Sequence, residues 1–166
     1  QLSQTPEGRA LLQAEYFGAS SAWAWVWVNP QCWNEDPQQP WRGAEESALA
    51  ARAYQRLGAL DLYGFARRGR HSGSSIGAAL AWVPGDAWEL HASARSLQRH
   101  DGWQLAPDMT GQPVTTNPWQ TASLGHAQQA WLGLQWTGAA QQSLMAEFWH
   151  DGTALSREQW RQWGAR

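Results

Sequence analysis

A strict two-residue alternation after the turn Val83-Pro84-Gly85-Asp86 constrains the fold of this chain more than any other feature. One side of the following segment collects apolar residues and the other side collects polar ones: Trp88, Leu90, Ala92 and Ala94 against Glu89, His91, Ser93 and Arg95. A period of two is that of a β-strand, whose successive side chains point to opposite faces of a sheet. Alternating apolar residues also precede the turn, so residues 73–98 are predicted to form a β-hairpin with one apolar and one polar side.

The same alternation predicts three further hairpins, over residues 11–28, 48–67 and 123–150. An alternative exists for the second one, because the alanine-rich segment from Glu45 to Leu57 also has the composition of an amphipathic helix. The predicted fold class is all-β, an antiparallel meander of about eight strands. Residues 1–166 are expected to form one domain, a transmembrane β-barrel or a part of a larger one.

The lengths of the predicted strands and of the connections between them favour a location in a membrane. Tight turns are predicted to alternate with longer connections, which are residues 29–47, 68–72 and 99–122 and the segment after Asp151. Outer-membrane barrels of bacteria have short turns at one end and long loops at the other, and their tilted strands need about ten residues to cross the hydrocarbon layer. The long connections are rich in Pro, Gln, Asn, Asp and Gly and are predicted to be solvated loops.

Composition limits the possible functions. Fourteen tryptophans in 166 residues exceed what a soluble core of this size can bury with every indole N–H paired, so many must lie at a membrane–water interface or on a carbohydrate-binding surface. The net charge is −2 and the arginines are scattered, which argues against nucleic acid as a partner. Cys32 is the only cysteine and no histidine pair has metal-ligand spacing, so no disulfide within the chain, no metal and no cofactor are expected.

Two segments carry a resemblance to a known group of proteins. The first joins Ala50-Arg52-Tyr54, Asp61-Leu62 and residues 84–91, Pro-Gly-Asp-Ala-Trp-Glu-Leu-His; the second runs from Ala146 to Gly152 and on through residues 155–160. Together they resemble a group of uncharacterised, porin-like bacterial outer-membrane β-barrel proteins. The resemblance covers about Ala48 to Trp160 and implies a wider barrel, of which this chain is an internal segment.

The polar faces of the predicted strands supply the candidate site. Inside a barrel they would line the lumen, where arginines opposed by carboxylates could narrow the bore or select among solutes, although ordinary contact with water explains such a row as well. The lumen-lining candidates are Arg52, Asp61, Arg67, Glu89, His91, Ser93, Arg95, Gln135 and Glu147. The candidates for an aromatic girdle at the membrane interface are Trp82, Trp88, Trp136 and Trp149.

Catalytic patterns in the sequence are weak. His91 and Ser93 have the His-x-Ser spacing of outer-membrane phospholipases, but Ala94-Arg95 follows where that family has Asn-Gly, and a nucleophile without a third, orienting group is weak support for catalysis. The acidic pairs Glu35-Asp36 and Glu45-Glu46 are predicted to be solvated loop charges.

The expected function is therefore that of a non-enzymatic outer-membrane barrel, a pore for passive transport or a structural scaffold. Its partners would be the lipid bilayer and further strands, either of the same polypeptide or of other outer-membrane subunits. Two alternatives remain open, which are a soluble secreted β-domain that binds carbohydrate through exposed tryptophans and an outer-membrane hydrolase.

Overall fold

The computed structural model describes residues 10–32, 46–105 and 119–164. These residues form ten strands and one helix. The strands are β1 (Leu11–Phe17), β2 (Ser21–Val28), β3 (Ala48–Leu57), β4 (Leu60–Gly69), β5 (Gly73–Gly85), β6 (Trp88–Leu97), β7 (His100–Leu105), β8 (Trp119–Leu124), β9 (Ala127–Thr137) and β10 (Ser143–Asp151), and the helix is α1 (Arg157–Gly164).

Eight of the strands form one antiparallel sheet in the order β1-β2-β3-β4-β5-β6-β9-β10. The predicted all-β meander is confirmed, and each of the four predicted hairpins is found as a pair of neighbouring strands. The helix considered for residues 45–57 is wrong, because Ala48–Leu57 is a strand paired on both sides. Pairing with two neighbours outweighs the helix propensity of alanine, since propensity is only a weak preference that tertiary contacts override.

The connections lie at two ends of the sheet. The turn end holds residues 18–20, 58–59, 86–87 and 138–142, and the described residues at the loop end are 29–32, 46–47, 70–72, 98–99, 125–126 and those after Asp151. At the turn end, Leu57 pairs with Leu60 across two residues, and Gly58 has a φ of 63°, a conformation that costs glycine little. Short and long connections between strands alternate less strictly than predicted, because β4 continues to Gly69 and leaves only residues 70–72 to connect it to β5.

The segment between β6 and β9 corrects another prediction. Residues 99–122 were expected to be a solvated loop, but they contain β7 and most of β8, which pair with each other in a separate two-stranded sheet. Apolar residues alternate in β7 only at Trp103 and Leu105, too short a run to recognise as a strand in the sequence. The fourth hairpin accordingly begins at Ala127 and not at residue 123.

The helix α1 follows β10 and begins with a reciprocal cap. The Gln159 backbone N–H donates to Ser156 Oγ at 3.3 Å, and the Ser156 N–H donates to Gln159 Oε1 at 2.8 Å. This exchange satisfies two donors that the first turn of a helix leaves unpaired. In the described part of the chain, no helix is long and apolar enough to cross a membrane.

In the described part of the chain the eight-stranded sheet is open, and no other strand or helix packs extensively on either of its faces. Within the described residues β1 pairs only with β2 and β10 only with β9, so no closed barrel is observed. The only buried apolar residues in these ranges are Ala24, Ala48 and Ala127. A sheet gains hydrophobic stabilisation only when something covers its apolar face. The side of the sheet that carries Leu62, Leu80 and Leu132 therefore requires a medium or a partner that covers it.

Candidate functional site

The strand register assigns every side chain of the sheet to one of two faces, because residues paired across antiparallel strands point to the same side. One row runs from Leu62 through Leu80, Ala92 and Leu132 to Phe148 and is apolar throughout. The row one residue further along each strand points to the other side. It runs from Tyr63 through Ala79, Ser93 and Trp131 to Trp149.

We call the first side the apolar face. Its large apolar residues extend over all eight strands: Leu12, Tyr16, Trp23, Trp25, Trp27, Leu49, Leu57, Leu60, Leu62, Ile76, Leu80, Trp82, Trp88, Leu90, Leu132, Leu134, Trp136, Leu144 and Phe148. Many of them are half-exposed or more, with 55% of Trp25, 65% of Ile76 and 60% of Phe148 accessible. Within these eight strands, Arg68 is the only arginine, aspartate or glutamate on this face.

On the second side, the polar face, several charged residues contact polar or charged partners on other strands. Arg52 donates to Glu15 at 2.9 Å, which links β3 to β1 across β2. The Tyr54 hydroxyl donates to Asp61 Oδ1 at 2.6 Å, linking β3 to β4. Small residues of β2 between Arg52 and Glu15, such as Ala24, leave room for the first contact.

His91 sits at the centre of another polar-face contact group. Its Nε2 lies 2.9 Å from Glu89 Oε1, and its ring stacks on Trp131 with centroids 5.8 Å apart and planes at 28°. The Trp131 ring extends over Gly133, where an added Cβ would lie 3.0 Å from the indole. A glycine at the residue paired with His91 therefore leaves space for this stack.

Arg95 packs on an aromatic ring. Its guanidinium carbon lies 5.6 Å from the centroid of Phe65, and its Nη2 is 3.5 Å from Ser75 Oγ. Phe65, Gly77 and Arg95 are register partners on three adjacent strands, and a Cβ on Gly77 would come within 2.4 Å of the Phe65 ring. Arg95 Nε is buried and, among the described residues, has no hydrogen-bond partner.

A buried carboxylate marks the loop end. Glu46 is 1% exposed and accepts hydrogen bonds from Arg67 Nη2 at 2.6 Å and from the Ser72 N–H at 2.9 Å, and further ones from the Ser72 hydroxyl and the His71 N–H. Burial raises the pKa of Glu46, but these donors outweigh it and lower the pKa below its usual value. The prediction that Glu46 is a solvated loop charge is wrong; Glu35, Asp36 and Glu45 lie outside the described residues.

All nine predicted lumen residues lie on the polar face. The register places Arg52, Asp61, Arg67, Glu89, His91, Ser93, Arg95, Gln135 and Glu147 there. The arginines do not pair with the carboxylates that the sequence suggested. Arg52 contacts Glu15 and Arg67 contacts Glu46, and neither acid was among the candidates, Glu46 because its segment was predicted to be a solvated loop.

Three of the four predicted girdle tryptophans share a location. Trp82, Trp88 and Trp136 lie on the apolar face near the turn end, and the rings of Trp88 and Trp136 are 6.3 Å apart. Trp149 differs, because it pairs with Trp131 and so points to the polar face. It is 74% exposed on the edge strand β10.

The described residues do not assemble the catalytic or metal-binding patterns considered from the sequence. His91 contacts Glu89 and Trp131, and no hydrogen bond joins it to Ser93 in the part of the chain described. No group of three or more His, Cys, Asp or Glu residues is close enough to hold a metal ion in these ranges. The hollows on the polar face include one of about 370 Å³ beside Phe17, Tyr54 and Tyr63 and one of about 210 Å³ between Arg52 and Arg95.

The fold and the two faces define an all-β protein built on an open antiparallel meander with one apolar and one charged side. No protein-family model, no curated protein and no solved structure matches this chain. The resemblance to outer-membrane barrels thus stays a prediction.

Proposed function

We propose that this chain forms all or part of an outer-membrane β-barrel, with the apolar face against lipid and the polar face towards an aqueous interior. The observation that carries the proposal is the confinement of the arginines, aspartates and glutamates of eight paired strands to one face, with Arg68 at the loop end as the only exception in those strands, while the other face is otherwise free of these charges. Barrel strands alternate apolar-out and polar-in in this way. The proposed role is a pore for passive transport or a scaffold, without catalysis.

Hydrocarbon suits the apolar face better than water does. Apolar patches beyond a few hundred Å² are rare on soluble monomers and mark sites that contact other proteins or membranes. Trp23, Trp25 and Trp27 alone are 51%, 55% and 43% exposed on one strand, and the apolar face continues to β10. A bilayer would cover all of this surface without a specific partner.

The lengths and edges of the strands also support a barrel. Strands β3, β4 and β6 have ten residues each, about the number a tilted strand needs to cross the hydrocarbon layer. In a membrane the free edges of β1 and β10 must be paired, since lipid offers no hydrogen bonds. We propose that closure uses further strands of the same polypeptide or of another outer-membrane subunit.

The polar face suits a barrel interior of mixed charge. Arg52 with Glu15, Arg67 with Glu46 and His91 with Glu89 pair opposite or potentially opposite charges. Paired charges satisfy each other where little water reaches them and leave a lumen with weak preference for either ion sign. This arrangement fits a scaffold or a weakly selective pore.

Cysteine labelling of two adjacent residues tests the proposal. In a Cys32→Ser background, Ala92→Cys would point to the apolar face and Ser93→Cys to the polar face of the same strand. After reconstitution in phospholipid vesicles, we expect an environment-sensitive fluorophore on residue 92 to report hydrocarbon and one on residue 93 to report water. Cysteine is a small side chain at both positions, so the two variants differ mainly in the direction in which the label points.

The labelling experiment also has outcomes that would contradict the membrane location. If the protein does not float with the vesicles, or if both fluorophores report water, the membrane assignment is wrong. A quencher confined to the acyl chains provides the check, because it should quench the fluorophore at residue 92 and leave that at residue 93 bright.

A second candidate function is carbohydrate binding, favoured by the row of Trp23, Trp25 and Trp27. Indoles at alternate strand positions could stack on successive sugar rings. Sugar sites also need polar groups beside the aromatic platform, whereas the register partners of Trp25 and Trp27 on β3 are Ala51 and Leu49. Retention of the detergent-free protein on a polysaccharide matrix, lost on Trp25→Ala, would support this alternative over the membrane.

A further inference from the structure

The apolar face carries a hollow of about 560 Å³ near the loop end, larger than the two hollows described on the polar face. Its floor is formed by Ala51 and Ala66, which are register partners on β3 and β4. Trp25 pairs with Ala51 on one side, and Ile76 pairs with Ala66 on the other. Two small residues between two large ones thus form a shallow apolar channel.

The rim of this hollow towards the loop end is polar. It is lined by Arg68, Ser74, Ser96, Gln98 and His126. Arg68 and Ser74 are register partners, so the cation stands beside a hydroxyl at the point where the apolar channel ends. The hollow therefore combines an apolar floor and walls with a hydrogen-bonding, cationic rim.

Arg68, the cation of this rim, has no acidic partner among the described residues. It is exposed, and no hydrogen bond or ion pair engages it within residues 10–32, 46–105 and 119–164. Arg67, the next residue, points to the polar face and bonds Glu46. An arginine on the apolar face is costly near the middle of a bilayer and tolerated near its interface, where lipid phosphates lie.

The neighbouring side chains are oriented by contacts that keep polar groups at the rim. Gln98 Oε1 accepts from the Ser74 N–H at 3.0 Å, and its amide NH₂ donates no hydrogen bond among the described residues. His126 Nε2 lies 2.9 Å from Ser96 Oγ. Arg68 and Gln98 are thus available as donors on opposite sides of Ser74, which is an arrangement suited to an anionic oxygen.

We propose that this hollow binds one phospholipid with a net negative head group, with its phosphate at Arg68, Ser74 and Gln98 and an acyl chain over Ala51 and Ala66. Charge complementarity selects this occupant, since a free arginine at the rim of an apolar channel matches a molecule with an anionic head and a hydrocarbon tail. The inference rests on the proposed membrane location and adds a specific lipid site to it.

The test uses the whole chain reconstituted in vesicles of equimolar phosphatidylglycerol and phosphatidylcholine. After extraction in mild detergent, native mass spectrometry measures the ratio of the two lipids that stay bound. Wild type should retain phosphatidylglycerol preferentially, and Arg68→Gln should lower the ratio by about fivefold, the effect of one arginine near an anionic lipid surface. Arg68→Lys should keep most of the preference, because a point charge still attracts a phosphate.

Matched variants separate the site from general effects. Arg56→Gln removes an arginine at the turn end and should leave the lipid ratio unchanged. Ala66→Leu fills the floor of the channel and should reduce retained lipid, whereas Ala78→Leu, on the same face outside the hollow, should not. Excess inorganic phosphate should fail to displace the lipid if the acyl chain contributes to binding, and displacement by it would overturn the lipid assignment.

Failure of this inference is distinguishable from failure of the proposed function. Flotation of the wild-type protein with vesicles tests the membrane location alone. If the protein floats but shows no preference, or if Arg68→Gln and Arg56→Gln lower the ratio equally, the lipid site is wrong and the barrel proposal stands. If the protein does not float, both proposals are wrong.

Discussion

Glu46 Oε1 lies 2.6 Å from Nη2 of Arg67, and this contact fixes the segment before β3 to β4. The carboxylate packs over Gly69, where an added Cβ would overlap it, so the glycine at the end of β4 makes the approach possible. Arg67 is 29% exposed in its side chain while that of Glu46 is fully covered. The pair is therefore a structural contact at the loop end in which the acid depends on its donors.

Replacing this acid should destabilise the fold. Glu46→Gln removes the charge and leaves the donors of Arg67, His71 and Ser72 with a poorer acceptor. We expect a loss of about 1–3 kcal/mol in the free energy of unfolding, the usual cost of disrupting a buried polar contact. Urea unfolding of the reconstituted protein measures it. Glu158→Gln is the control, because Glu158 and Arg161 form an exposed pair 3.6 Å apart whose loss should be barely measurable.

Acid should have the same effect as that substitution. The pKa of Glu46 is lower in the folded protein than the ordinary value of 4.5, so its contribution to stability is fully present above that value. The contribution is lost as the pH falls through the lowered pKa. The unfolding free energy of wild type should therefore decrease on acidification below 4.5 more than that of Glu46→Gln. Parallel decreases in the two proteins would contradict this assignment.

The faces were predictable from the sequence and the contacts were not. Alternation alone places Leu90 and Arg95 on opposite sides, because a strand has a period of two whatever its neighbours are. Which acid meets Arg67 depends instead on the register between β3 and β4 and on the path of the residues before β3. Glu46 lies 21 residues away in sequence, and no local pattern encodes that contact.

The wrong predictions for Trp149 and for residues 99–122 also result from reading short segments of sequence. Trp149 was grouped with Trp82 and Trp136 because each is near a strand end, but its position in the alternation puts it on the polar face, paired with Trp131. The strands β7 and β8 have six residues each, and their mutual pairing is what makes them strands. Short segments carry too few alternations to be told from loops.

Adding a methyl group at Gly77 should disturb the contact of Phe65 with Arg95. An added Cβ would lie 2.4 Å from the Phe65 ring and 2.8 Å from the Ala94 carbonyl oxygen, and the carbonyl cannot move without bending β6. Gly77→Ala should therefore cost about 1–3 kcal/mol, as overpacking does. Gly64→Ala is the matched control on the neighbouring strand, because nothing lies within 4 Å of its Cβ position. Equal stabilities of the two variants in urea unfolding would show that Phe65 does not need this space.

Substituting arginine at two consecutive residues of β5 should distinguish the lipid-facing side of the sheet from the side that faces the lumen. Ala78 pairs with Gly64 and Ala94 on the apolar face, and Ala79 pairs with Tyr63 and Ser93 on the polar face. In vesicles, Ala78→Arg should lower the unfolding free energy by about 2–4 kcal/mol, the cost of arginine on the lipid-facing side near the middle of a bilayer. Ala79→Arg should cost less, since charged groups such as Arg95 and Glu89 share its face. Both variants add the same side chain to neighbouring residues of one strand, so differences in strand propensity cancel. A larger loss for Ala79→Arg than for Ala78→Arg would reverse the assignment of the two faces and exclude the barrel as proposed.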